Sequence, residues 1–163
     1  FLFFFTQPNI NAEIPHYLDF KFVLNQSEAG KKAQAALKKQ LDNGIKSLKK
    51  TETSLQESEK KIIQQKKVLN PEEYKKKVTE LRSKVANLQK ERNKLLQTVS
   101  KKRAKAKAEL LKTLNPIVKE YMVEKKIRMV LDKKELILAD EKLDITNEII
   151  QRLNKKLKSI NLN

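Results

Sequence analysis

The chain has 163 residues, with 37 Lys and Arg against 20 Asp and Glu, a net charge of +17, and only 2 Gly, 4 Pro and no Cys or Trp. So few turn formers exclude an all-β fold rich in tight turns, and the absence of cysteine removes disulfide scaffolds and thiolate metal or iron–sulfur sites. Gly30 and Gly44 are the two glycines, so phosphate-cradling loops are excluded as well, and an enzyme is a poor fit.

The sequence opens Phe1-Leu2-Phe3-Phe4-Phe5-Thr6-Gln7-Pro8-Asn9-Ile10-Asn11-Ala12. An apolar run, then a polar stretch with proline, then a small residue is the pattern that ends a secretory signal, with cleavage expected after Ala12. Residues 1–12 are therefore set apart from the fold as a signal-peptide remnant. Tyr17 to Leu24 alternates in a way that predicts a β-strand.

Asn25, with Glu28 three residues on, predicts the cap of a long helix reaching about Leu69. Leu41, Leu48, Leu55, Ile62 and Leu69 recur every seven residues, while Gly44, Thr51, Ser58 and Gln65 leave the companion row weak. One strong row and one weak row make a slender coiled coil. Ala29, Gly30, Ala33 and Ala36 offer small surfaces for close packing near its start. Asn70, Pro71 and Glu73 match the N-cap, first-turn proline and capping-box positions of a second helix, expected to run to about Lys125. Val78, Val85, Val99 and Ala106 hold one seven-residue phase of it, interrupted by Arg92, and Leu81, Leu88 and Leu95 hold the other. Two stretches of equal length about one sharp turn predict an antiparallel helical hairpin over residues 28–112 with its tip at 69–73. Pro116 falls beyond that returning arm, where it is expected to kink or restart the helix.

Ile127–Leu131 and Leu136–Ala139 flank Asp132-Lys133-Lys134-Glu135 and predict a β-hairpin. Thr146 is expected to cap a last helix, with Ile145 stapled to Ile150 and with Leu153, Leu157 and Ile160 along its apolar face. The fold class is therefore α+β. A long coiled-coil hairpin projects from a small β-containing body formed by residues 13–27 and 113–163. A body of this size leaves sheet edges and apolar surface uncovered, so self-association through it is the physical expectation.

The charge is concentrated in the helices. Residues 28–69 carry 11 basic and 5 acidic side chains, and residues 71–126 carry 17 and 7. Lys75, Lys76, Lys77, Lys101, Lys102, Arg103, Lys105 and Lys107 stand in the densest runs and are the candidate surface for acidic partners. His16 is the single histidine and reads as a strand residue. No group of acids and histidines has metal-ligand spacing, and no cofactor is expected.

In this order of elements the chain resembles the Skp/OmpH family of periplasmic chaperones for outer-membrane proteins. The resemblance runs from Tyr17 to Leu157. It is carried by Leu18-Asp19-Phe20-Lys21-Phe22-Val23-Leu24-Asn25-Gln26-Ser27-Glu28-Ala29-Gly30-Lys31-Lys32-Ala33, by Met129-Val130-Leu131-Asp132, and above all by Leu138 through Ile150 with Asp144-Ile145-Thr146 at its centre. It implies a homotrimer in the periplasm whose helical arms surround a cavity and hold unfolded outer-membrane proteins without ATP. Leu18, Phe20, Val130, Leu131, Leu136 and Leu138 would then lie in the trimerisation body. Lys125-Lys126-Ile127-Arg128 replaces the family's glycine and aromatic before the β-hairpin, a departure expected to alter that joint locally. An anionic lipid or lipopolysaccharide is a further partner the resemblance suggests, without assigned residues.

Two other readings compete. A pI near 9.9 is the electrostatic signature of nucleic-acid binding. However, Tyr74 and Tyr121 are the aromatics of the long helices, too few for base-stacking platforms, and export would keep the chain from cellular DNA. A structural coiled coil of the cell envelope is the other, disfavoured by the weak companion row.

Overall fold

The structure is a computed structural model and describes residues 14–162; the expected signal remnant, 1–12, lies outside them. The elements are β1 (His16–Leu18), α1 (Phe20–Gln26), α2 (Glu28–Gln65), α3 (Pro71–Glu124), β2 (Val130–Asp132) and α4 (Thr146–Lys156), with short 3-10 turns at Lys133–Glu135 and Glu141–Leu143. The fold is predominantly helical with a two-stranded sheet. Its residues group into two compact units, one built from residues 14–31 and Glu109–Ser159, the other from Lys32–Ala108 with residues 160–162.

In the first unit β1 and β2 pair in parallel, His16 with Val130, Tyr17 with Leu131 and Leu18 with Asp132. On its other side β1 meets the approach to α4, where the Ile145 amide donates to the Tyr17 carbonyl at 3.0 Å. The core is apolar: Leu18, Val23, Leu114, Ile117, Ile149 and Leu153 are all but inaccessible, with Tyr17, Tyr121 and Ile145 around them. Burial of this kind stabilises by roughly 25 cal/mol per Å² of apolar surface and is the main force holding the unit together.

Four expectations need correction here. The strand expected over Tyr17–Leu24 stops at Leu18, and residues 20–26 are helical, because Asp19 caps them by accepting the Phe22 amide at 2.7 Å. The cap of α2 is Ser27 rather than Asn25: its hydroxyl accepts the Gly30 amide at 3.2 Å, and the Glu28 amide goes to Asn154 Oδ1 at 2.8 Å. The expected β-hairpin does not form. Asp132 turns the chain by accepting the Lys134 amide at 3.2 Å, residues 136–139 are not strand, and β2 pairs with β1 instead. Thr146 does not cap α4 with its side chain. Its hydroxyl accepts the Asp19 amide at 3.0 Å and donates to Asp144 Oδ1, so it ties α1 to α4.

The C-terminus of α3 closes as a Schellman motif. The Ile127 amide donates back to the Met122 carbonyl at 2.8 Å and the Lys126 amide to Val123 at 3.3 Å. Lys126 occupies the left-handed position with φ 56°, where glycine is usual and a side chain costs about 1 kcal/mol. Pro116 neither ends nor restarts α3, which continues through it to Glu124.

The second unit is an antiparallel helical hairpin. Gly44 packs against Leu95, Glu52 pairs with Arg92 at 3.7 Å, and Gln65 Oε1 accepts from Lys77 Nζ at 2.8 Å, one number rising as the other falls. The seven-residue row faces inward as predicted: Leu48 is buried, and Leu41, Leu55, Ile62 and Leu69 are half-buried. The interior is correspondingly thin, with Ala33, Leu37, Leu48, Val99 and Ala106 its well-buried apolar residues. α2 ends at Gln65, four residues before the expected Leu69, in a turn where the Val68 and Leu69 amides both reach the Gln65 carbonyl at 3.0 Å. Asn70 and Pro71 start α3 as predicted, with Asn70 Oδ1 accepting the Glu73 amide at 2.9 Å.

Candidate functional site

The hairpin unit is where the charge lies. Residues 32–108 contain 23 Lys and Arg against 8 Asp and Glu, a net of +15 on two helices with almost no interior. So dense a concentration of one sign produces a positive potential over the whole hairpin surface. Six of the eight candidate cations are exposed; Lys77 and Lys102 are half-buried, and Lys77 is held by Gln65. The structure does not gather the eight into one patch. Lys75–Lys77 stand at the start of α3, while Lys101–Lys107 lie about 36 Å further along it at 1.5 Å per residue.

The antiparallel register adds cations that the sequence reading did not single out. Lys60, Lys61, Lys66 and Lys67 close α2 and its turn and join Lys75–Lys77 around the tip. Lys38 and Lys39 come level with Lys101–Arg103. Pairing the two strings about the Asn70-Pro71 break would have revealed both groups. Isolated apolar side chains are exposed among the charges, including Ile45, Ile63, Val85 and Leu96, with Val68 85% exposed at the tip. Together these features present cations over a wide area with small, separated apolar footholds.

In the body unit, Leu18 is fully buried in the unit's own core, and Phe20, Val130, Leu131 and Leu136 are half-buried. Leu138 and its neighbour Ile137 are 92% and 104% exposed. A polar network braces this unit. Lys133 bonds Asp144 at 3.1 Å and lies 5.6 Å from the centre of the Tyr17 ring. Partial burial works against the Asp144 carboxylate, yet hydrogen bonds from Thr146 and Lys133 outweigh it and hold its pKa below the ordinary value; the bond to Asp144 raises that of Lys133. Arg152 stacks 4.7 Å from the Tyr121 ring and reaches Glu124 at 2.7 Å, which lowers the Glu124 pKa. His16 sits in β1 with a buried, unpartnered Nδ1. The described residues include no group of three or more His, Cys, Asp or Glu able to hold a metal and no helix long and apolar enough to cross a membrane.

A basic helical hairpin and a small α/β body in one chain define a class of fold, and the comparisons with known proteins place the chain within it. A Caulobacter crescentus CB15 protein described as an OmpH-like outer membrane chaperone has the same fold: TM-score 0.83 over 96% of this chain and 94% of that one, at 19% identity. An uncharacterized protein of Aquifex aeolicus (strain VF5) is 32% identical over 157 residues, 93% of this chain and 96% of its own. The family model for outer membrane protein (OmpH-like) matches residues 16–153. The chain belongs to this OmpH-like family of periplasmic chaperones, which are not enzymes.

Proposed function

We propose that the chain is an ATP-independent holdase for unfolded outer-membrane proteins, which it keeps from aggregating between the arms of a homotrimer. The observation that carries this reading is the hairpin unit, with its net +15 and its scattered exposed apolar side chains. A holdase must bind many sequences weakly and let them go without chemistry. A broad positive field raises the local concentration of acidic unfolded chains, and small apolar footholds add modest burial spread over many poses. Several arms in one assembly multiply weak contacts and separate one client from the next.

In this reading residues 28–112 form the arm, with the client surface spread over Lys75, Lys76, Lys77, Lys101, Lys102, Arg103, Lys105 and Lys107. Residues 13–27 and 113–163 form the body. Self-association is supported there by neighbouring Ile137 and Leu138, which have little cover within one chain. An anionic lipid or lipopolysaccharide headgroup would meet the same positive field as a client. Release follows when the client folds into a membrane and withdraws its apolar surface.

Sedimentation of the mature chain, alone and with an outer-membrane barrel freshly diluted from urea, tests the proposal. A trimer that forms a soluble three-to-one complex is expected. A monomer that does not delay barrel aggregation would overturn it.

A further inference from the structure

The apolar side chains exposed along the hairpin gather on one side of it. On α2, Ile45 and Ile63 are separated by five whole turns and so fall on one line of the helix, and Glu52 lies within about 20° of that line at 3.6 residues per turn. On α3, Val85, Arg92 and Leu96 fall within about 40° of one another. Glu52 pairs with Arg92 at 3.7 Å across the two helices, which brings both lines to the same side. Each of the four apolar residues is more than half exposed. The contacts of Gly44 with Leu95 and of Gln65 with Lys77 set the register. Ile45 therefore comes level with Leu96, and Ile63 with the half-buried Val78, with Val85 between. First rung to last spans about 27 Å at 1.5 Å per residue.

Helical spacing sets Lys38, Lys49 and Lys60 beside these rungs on α2, and Arg82, Arg103 and Lys107 beside them on α3. Asp42 and Glu59 are the acids that oppose them there, since Glu52 and Arg92 satisfy each other. The rim of this side is therefore cationic. The opposite edge of α2 differs in kind: Gln40, Ser47, Thr51, Ser54 and Ser58 follow one another at helical spacing, neither apolar nor charged. The Thr51 hydroxyl donates to the Ser47 carbonyl at 3.2 Å and the Ser58 hydroxyl to the Ser54 carbonyl at 2.8 Å, so both are turned onto their own helix. Of the dense lysine runs, Lys76, Lys77, Lys101 and Lys102 also fall away from the apolar side.

From this geometry we infer that the hairpin has one holding side, on which an unfolded acidic client lays apolar side chains against Ile45, Leu96, Val85 and Ile63, while the lysine runs turned away from it steer the client without touching it. The inference rests on the holdase reading and divides its labour. Charge acts over about 10 Å at 0.1 M salt, so a steering cation can stand on any side of a slender arm. Burial acts only at contact, so the side chains that hold must share the side on which the client lies. A second copy of the same side is a poorer occupant than an acidic client, because two cationic rims repel.

The chain has no cysteine, so a single introduced one carries a photo-cross-linker at a unique place. Gln56→Cys and Gln89→Cys set it on the apolar side, Ser47→Cys and Ser54→Cys on the opposite edge, and all four positions are exposed. With an acidic outer-membrane barrel freshly diluted from urea, the first pair is expected to give most of the cross-linked client. Ile45→Ser, Val85→Ser and Leu96→Ser combined should speed client dissociation about tenfold. Ser47→Ala, Thr51→Ala and Ser54→Ala combined should leave it within about twofold. Equal cross-linking from both sides, in complexes that still form, would overturn the inference and leave the holdase reading standing, as would wild-type dissociation in the serine variant. If none of the four labelled chains forms a complex, both fall. Cross-links between copies of the chain from Gln56→Cys and Gln89→Cys that the client does not displace would assign this side to self-association and overturn the inference.

Discussion

A Cβ added at Gly30 would stand 1.8 Å from the backbone oxygen of Leu24 and 2.9 Å from Ser27 Oγ, because α1 and α2 meet there at a one-residue joint. Backbone cannot yield as the end of a side chain can. Gly30→Ala is therefore expected to destabilise by about 2–3 kcal/mol despite alanine's better helix propensity, measured by urea unfolding. Close packing at this point was legible in the run of small residues, although Ala29 and Ala33 are buried and Ala36 is exposed. The polar brace was not legible, since nothing local announces that Asp144, Lys133 and Thr146 converge on β1 and α1. It makes a second prediction. A carboxylate held below its ordinary value of 3.8 contributes stability that is present above that pH and lost as pH falls through the lowered value. Asp144→Asn should thus melt lower than wild type at about pH 7, and the gap should narrow in acid, below about pH 3.8. A gap that stays constant across that range would show that the charge plays no part.

At the scale of elements, the sequence signals that held are those whose physics is local. Asn70-Pro71-Glu72-Glu73 carries its own cap, and the seven-residue leucine row needs only a helix beside it. Asn70→Ala should cost about 1 kcal/mol of stability, read from the urea midpoint of the hairpin signal. Pro116 is the opposite case. It lacks the amide that α3 would use and its ring opposes the preceding turn, yet Leu114, Ile117 and Val118 are anchored in the core and carry the helix past it. Pro116→Ala is accordingly expected to stabilise, by about 2 kcal/mol, with a raised melting temperature; a lowered one would mean that the body requires a bend at this point. The missed elements are non-local. Phe20-Lys21-Phe22 alternates like a strand, but Asp19 caps it as a helix, and packing against α4 buries Val23 alone from that segment. The supposed β-hairpin failed because a parallel partner far off in sequence, β1, took β2 first. Alternation reports that one face is apolar; it does not say which segment lies beside it.

At the scale of the whole molecule the decisive quantity is charge, which was legible from composition alone because it depends on no contact. Which cations act together was not, since that follows from the register of α2 on α3. If the hairpin attracts clients through its field, the effect must appear in association and must fade with salt. Exposed charges are screened within about 10 Å at 0.1 M ionic strength. The association rate for an acidic unfolded barrel, measured by stopped-flow fluorescence, should therefore fall at least about tenfold between low salt and 0.5 M, with a much smaller change in dissociation. Replacing Lys75, Lys76, Lys77, Lys101, Lys102, Arg103, Lys105 and Lys107 by Gln keeps helix propensity while removing the field. That variant should begin near the high-salt rate and depend weakly on salt. The exposed apolar residues should behave in the complementary way. Ile63→Ser and Val68→Ser would leave association nearly unchanged and speed dissociation, because they remove burial rather than attraction. If the Gln variant kept the wild-type salt dependence, the +15 on the hairpin would be a solvated surface and its apolar footholds alone would have to hold the client.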